Sequence, residues 1–257
     1  MKSQNGKRWL RLVRYFLIIP VILVISDLVV LAHPNWSLDY HYEINNQTYY
    51  SDLPLNDSLI QIFHEVASKS ETWPFYNADH KTDICIFQNQ ENYNFYRRMA
   101  FIKKTIPAYN LSLFETSLVS ISRLQEIEAN SYHAPRYSVF EGEINHAISH
   151  ELVHDYFVAA SGYLSYLTLP VWKREGLAEY LAGLEPNKSR EPLDIRGNIN
   201  LNDRNFSHHV REYNRWALMV EYLLDVKRLT IPELIDDNIE LDSVETEFRN
   251  WVVSNEN

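Results

Sequence analysis

Two short segments about twenty residues apart constrain the fold of this 257-residue chain more than any other feature. The first, residues 146–157, reads HAISHELVHDYF and carries His146, His150 and His154 at spacing four, with Glu151 directly after the second. Residues four apart share one face of an α-helix, about 6 Å from each other. The segment therefore predicts one long helix on which His150 and His154 point the same way. The second, residues 171–180, reads VWKREGLAEY and carries Glu175 and Glu179 at the same spacing. Between them, Ser161-Gly162 is a natural helix stop and Pro170 a natural start. That length suits an antiparallel helix that brings Glu175 back beside the histidines.

The chemistry of this pair of helices follows from the residue types. Two imidazole nitrogens at spacing four can hold one tetrahedral zinc ion at about 2.0–2.1 Å, and a catalytic zinc needs a third protein ligand and an open position. Glu175 is the candidate third ligand. Glu151 lies one step around the helix, where it can act as a general base without coordinating. Glu179, one turn beyond Glu175, can accept the spare ring N–H of a ligand histidine. In a chain with 10 His, His-Glu-x-x-His arises by chance about 0.03 times. A merely His-rich helix face, or pairing of His146 with His150, are the competing readings. His146 and His154 are about 12 Å apart along the axis and cannot share one ion; only His150 and His154 enclose a glutamate.

HELVH followed by WKREGLAEY resembles the gluzincin metallopeptidases, and more closely the peptidase-MA-like proteins with W-x-x-E-G-x-A-E-Y on the second helix. The resemblance is strong over residues 146–183, weaker over 208–252, and absent over 33–140. It implies an α+β, zincin-like catalytic domain with one Zn²⁺ per chain held by His150, His154 and Glu175. Glu151 would be the general base and Glu179 the outer carboxylate. Gluzincins commonly stabilise the oxyanion with a Tyr or His of the helical lobe; Tyr213, His209 and His208 in SHHVREYNRW are the candidates, Tyr213 first, with Arg211 as a carboxylate clamp. The implied activity is hydrolysis of a peptide or protein substrate. A non-catalytic binding or sensory module on the same scaffold, and hydrolysis of a non-peptide amide or ester, stand as alternatives.

The N-terminus carries a separate signal. Residues 16–32 are apolar except for Pro20, Ser26 and Asp27, and Leu12, Val13 and Tyr15 extend the run to about 20 residues, enough to cross roughly 30 Å of hydrocarbon. Lys2, Lys7, Arg8, Arg11 and Arg14 precede it, and no Lys or Arg follows until Lys69. The positive-inside rule then predicts a cytoplasmic basic tail at 1–14, a transmembrane signal-anchor at 15–32, and an extracytoplasmic body at 33–257. Val30-Leu31-Ala32 also resembles a signal-peptide cleavage site, which would release a secreted body. A buried core helix is the third reading.

The body divides into a small mixed α/β lobe, 33–140, and the site helix with a mainly helical lobe, 141–257. Helices are expected over 56–70 with Asn56 or Asp57 as N-cap, over 92–102, over 208–228, from Thr230 with Pro232 in the first turn, and over 243–253. DICIFQ reads as a strand, residues 110–124 as one or two strands, and 33–53 as a stalk or strand. His133, Pro135 and Arg136 fall in a loop. A strand within 112–122 is a candidate for holding an extended peptide by β-addition. With 46% apolar residues the chain can bury a large core. The body carries 19 bases against 33 acids, which disfavours nucleic acid as a partner. Cys85 is the single cysteine, so no intrachain disulfide and no cysteine metal cluster can form.

Overall fold

The computed structural model describes residues 4–33, 36–103, 106–112, 114–130, 144–183, 208–236 and 238–255, without the side chains of 4–15, 17, 126–130, 208–211, 214, 236 and 255. The expected loop of His133, Pro135 and Arg136 lies outside these residues. The architecture is α+β, with a five-stranded mixed sheet and helices on both faces.

A long helix α1, Gln4–Ala32, precedes the sheet. Within 33–53, expected as a stalk or strand, β1 (Tyr40–Ile44) and β2 (Gln47–Ser51) form a hairpin. Asn45 takes the positive φ that the tight turn demands, a conformation Asn tolerates well. Helix α2, Asp57–Ser70, starts where Asn56 accepts a hydrogen bond from the Leu59 N–H at 2.9 Å. It buries Leu59, Phe63 and Val66. Strand β3, Thr82–Phe87, is the expected DICIFQ strand, and helix α3, Gln90–Met99, follows it. The stretch 110–124 gives β4 (Ala108–Leu111) and β5 (Thr116–Ser120), but its last residues turn into α4, Ile121–Asn130.

The sheet order is β1-β2-β3-β5-β4, with β2, β3 and β5 parallel and the two outer strands antiparallel to their neighbours. This corrects the β-addition expectation. The strand within 112–122 is β5, whose edges are taken by β3 and β4; the outer strand on this side is β4.

Alternation along the strands divides the core in two, because successive side chains face opposite sides. Ile84, Ile86 and Val119 face α2 and the site helices; Cys85, Phe87 and Leu118 face α3 and the end of α1. The first face carries α5 (Ile144–Ser161), α7 (Val171–Ala182), α8 (His208–Glu221, continued as a π turn over Tyr222–Val226), α9 (Ile231–Asp236) and α10 (Leu241–Asn255). A short helix α6, Tyr163–Thr168, interrupts the α5–α7 connection, where the sequence predicts a simple turn. Gly162 supplies the φ of +83° at that corner.

On the other face Leu31, at 4% exposure, and Val30 pack with Leu38, Tyr93, Tyr96 and Ile102. Upstream, Phe16 to Val29 present a nearly continuous exposed apolar surface. Among the described residues no helix is long and apolar enough to cross a membrane. The expected span counts Leu12, Val13 and Tyr15, whose side chains, like those of the basic tail, lie outside the described residues.

Candidate metal centre

Helix α5 is buried along almost its whole length, from His146 to Phe157, so its polar side chains need partners inside the protein. Its far side is held by Tyr156, whose hydroxyl accepts a hydrogen bond from Asn46 Nδ2 at 2.7 Å. Its near side presents the histidines to α7, which returns antiparallel as the motif spacing predicts. His150 Nε2 lies 3.4 Å from Glu175 Oε2, His154 Nε2 lies 3.4 Å from the same oxygen, and the two ring nitrogens are 3.2 Å apart. Three ligand atoms at the corners of a tetrahedron of radius 2.0–2.1 Å stand about 3.3–3.4 Å apart. The triangle has that size. Three lone-pair-bearing atoms gathered in a buried site repel one another unless protons or a cation sit between them, so the donor set fits a divalent ion.

Glu179 sits behind this triangle. Its Oε1 is 3.1 Å from His150 Nδ1, though the ring N–H does not aim squarely at it, and its Oε2 is 2.8 Å from His146 Nε2. A second group, His146, His150 and Glu179, is also close enough to consider as an ion site. Its 2.8 Å contact is a hydrogen-bond length and shorter than two ligands of one tetrahedral ion allow. His146 is therefore read as a partner of Glu179, and Glu179 as the carboxylate that orients His150.

Burial and charge set the protonation of the cluster. Burial alone would lower His150, but Glu179 and Glu175 outweigh it and hold it well above the usual imidazole range. Burial would likewise raise Glu175 and Glu179, and the facing histidines hold both well below the usual carboxylate range. His154 is lowered by burial. Glu151 has no such cationic partner strong enough to win. Burial pushes it up to about 8, helped by the charges of Glu175 and Asp155. A carboxyl poised near neutrality is suited to taking and returning a proton.

Helix α8 closes the other wall. A Cβ on Gly176 would stand 2.6 Å from the Trp216 carbonyl oxygen and 2.9 Å from Val220 Cγ2, so only glycine permits this approach of α7 to α8. The contact brings Tyr213, one turn before Trp216, over the site, with its ring 6.0 Å from that of His150. Burial and the charges of Glu175, Glu151 and Glu179 hold its hydroxyl protonated, far above the ordinary phenol range. The structure thus gathers His150, Glu151, His154, Glu175, Glu179 and Tyr213. The side chains of His208, His209 and Arg211, in the first turn of α8, lie outside the described residues.

Several partners in the site went unread in the sequence. Arg174 donates from Nε to Glu175 Oε1 at 3.2 Å, and its guanidinium lies 4.8 Å over the Tyr166 ring. Tyr166, on α6, meets the His154 ring edge-on at 5.7 Å. Asn110 of β4 donates from Nδ2 to Asp155 Oδ1 at 2.5 Å and to the Glu151 carbonyl at 3.3 Å, and Ser117 donates to Asp155 Oδ2 at 3.2 Å. These bonds tie β4 and β5 to the site helix. The one sequence signal was Asp155 itself, a charged residue in a segment otherwise destined for burial.

The chain matches no protein-family model and no curated protein sequence.

Proposed function

We propose that the protein is a zinc-dependent hydrolase of peptide bonds, held at the membrane by α1 with its body on the extracytoplasmic side. The observation that carries the reading is the triangle of His150 Nε2, His154 Nε2 and Glu175 Oε2, with sides of 3.2, 3.4 and 3.4 Å. Those three residues would hold the ion. It would supply Lewis acidity, acidifying water and polarising a carbonyl.

The chain's own residues supply the rest. Glu151 takes the proton of the attacking water and delivers it to the leaving amine, a role that its carboxyl, with a pKa of about 8, suits. The Tyr213 hydroxyl, kept protonated, donates a hydrogen bond to the oxygen that gains charge. Glu179 and Arg174 hold His150 and Glu175 in orientation. Strand β4, the outermost on the site side and bonded to α5 through Asn110, offers backbone groups to which an extended peptide can add. The packing of Leu31 into the body supports a retained anchor over cleavage after Ala32, since cleavage there would remove a core residue.

The test joins metal analysis to peptide-library cleavage. The wild type is expected to hold one zinc per chain and to cleave. Glu151→Gln is expected to keep the zinc and lose about 10²–10⁴-fold in kcat/KM. Cleavage at the wild-type rate in that variant refutes the mechanism, and a wild type without stoichiometric metal refutes the centre.

A further inference from the structure

The body is acidic, yet residues 92–114 contain Arg97, Arg98, Lys103 and Lys104 and no acid. Within that stretch α3 ends in an unusual way. The Ile102 N–H bonds to the Arg97 carbonyl at 2.9 Å and the Phe101 N–H to the Arg98 carbonyl at 3.1 Å. This is the Schellman arrangement, in which the residue at the left-handed position is usually glycine. Here it is Phe101, with φ of +57°. Its ring is 89% exposed, so it contributes little packing, while its Cβ strains the backbone that a glycine would relax. Phe95, 55% exposed, and Arg98 lie on the same outer face of α3, and Lys103 is exposed just beyond. The buried face of α3, through Tyr93 and Tyr96, packs with Leu31 at the end of α1. Trp36, 67% exposed, follows that end directly.

We propose that Phe101, with Phe95, Arg98 and Lys103, forms a lipid-docking surface that seats the body on anionic phospholipid headgroups beside the anchor. This rests on the proposed anchoring by α1. Two exposed aromatic rings flanked by two cations suit the bilayer interface, where apolar bodies enter the acyl boundary and bases meet lipid phosphates. The helix that carries this surface packs through its other face on the end of α1, which would emerge from the bilayer. Its charge opposes that of the rest of the body, so it selects the orientation in which this face meets the lipid.

The full chain in nanodiscs of phosphatidylcholine and phosphatidylglycerol, nitroxide-labelled at Phe101→Cys, tests this; Cys85 is fully buried and escapes labelling. Phe101 is expected to lose collisions with a water-soluble nickel chelate and gain them with oxygen, relative to a label at the exposed Val253→Cys. The pair Arg98→Glu and Lys103→Glu is expected to return the Phe101 label to water. A separate label at Ile22→Cys reports the anchor. With Ile22 in lipid, a Phe101 label as wet as that at Val253 overturns the docking surface and leaves a protein as the occupant of this patch. A wet Ile22 sinks the anchor reading first, and the docking with it. Phe101→Gly is expected to keep or raise the unfolding midpoint while a Phe95→Cys label loses lipid contact. A lowered midpoint would show that the ring serves the fold, and would also overturn the proposal.

Discussion

At the scale of single residues, the site rests on carboxylates whose charge is maintained against burial by their neighbours. Glu179 illustrates this: it is buried, yet the adjacent His146 and His150 keep it ionised. Replacing it with Gln keeps the shape and removes the charge that orients His150. If the site binds zinc as proposed, the affinity is expected to fall by about 10–100-fold, read by competition with a chromophoric chelator. An unchanged affinity would assign Glu179 to packing alone. The residues of this centre were legible in sequence because helical periodicity converts spacing directly into direction. Spacing pairs His150 with His154 and Glu175 with Glu179, and bringing the two pairs together needed only the antiparallel return of the second helix. Asn110 and Tyr166 were not legible, since they reach Asp155 and His154 only through strand order and a short helix that no local pattern announced.

At the scale of elements, two local features set the helices of this lobe. One is the close approach at Gly176, which sets α8 against α7. Gly176→Ala forces the Trp216 carbonyl and Val220 apart, and is expected to destabilise the protein by about 1–3 kcal/mol in denaturant unfolding. A neutral result would mean that α8 shifts freely, and with it Tyr213. The other is the start of α9. Glu233 Oε2 accepts from the Thr230 N–H at 2.7 Å, and the Glu233 N–H bonds back to Thr230 Oγ1, a reciprocal cap that bears out Thr230 as the N-cap. These bonds lower the Glu233 carboxyl below its ordinary value. The sign follows: its stabilising contribution is present above the unfolded pKa of about 4.3 and fades as the pH falls through the lower folded value. Glu233→Gln is expected to flatten the acid limb of the stability profile. An identical limb in the two proteins would remove the cap from the account. The caps at Asn56 and Thr230 were readable from a few consecutive residues, while Asn89, the N-cap of α3, was not, and that helix starts two residues before the expected 92. The α6 interruption was not readable either, because Tyr163–Thr168 carries no N-cap side chain to mark its start.

At the scale of the whole molecule, the α+β class was visible in the change from alternating to helical patterning. Strand order was not, since nothing in residues 110–120 tells that β5 enters the sheet before its neighbour β4 closes the edge. The join between α1 and the body is the feature of largest reach. A chain beginning at His33 lacks Leu31 and is expected to lose about 2–5 kcal/mol relative to one beginning at Leu28, measured by urea unfolding. Equal stabilities would detach the helix from the core. The sheet also separates two territories. Leu31 and α3 pack on one face and α5 with its histidines on the other. At roughly 10 Å per layer, the candidate metal-ligand histidines stand about 20 Å above the plane on which Phe101 would rest. On the proposed anchoring and the proposed hydrolysis, a neighbouring membrane protein would be cut only where a flexible stem of at least six or so extended residues lifts its scissile bond to that height. The fold would thus act as a ruler, sparing short ectodomain stubs and selecting tall ones.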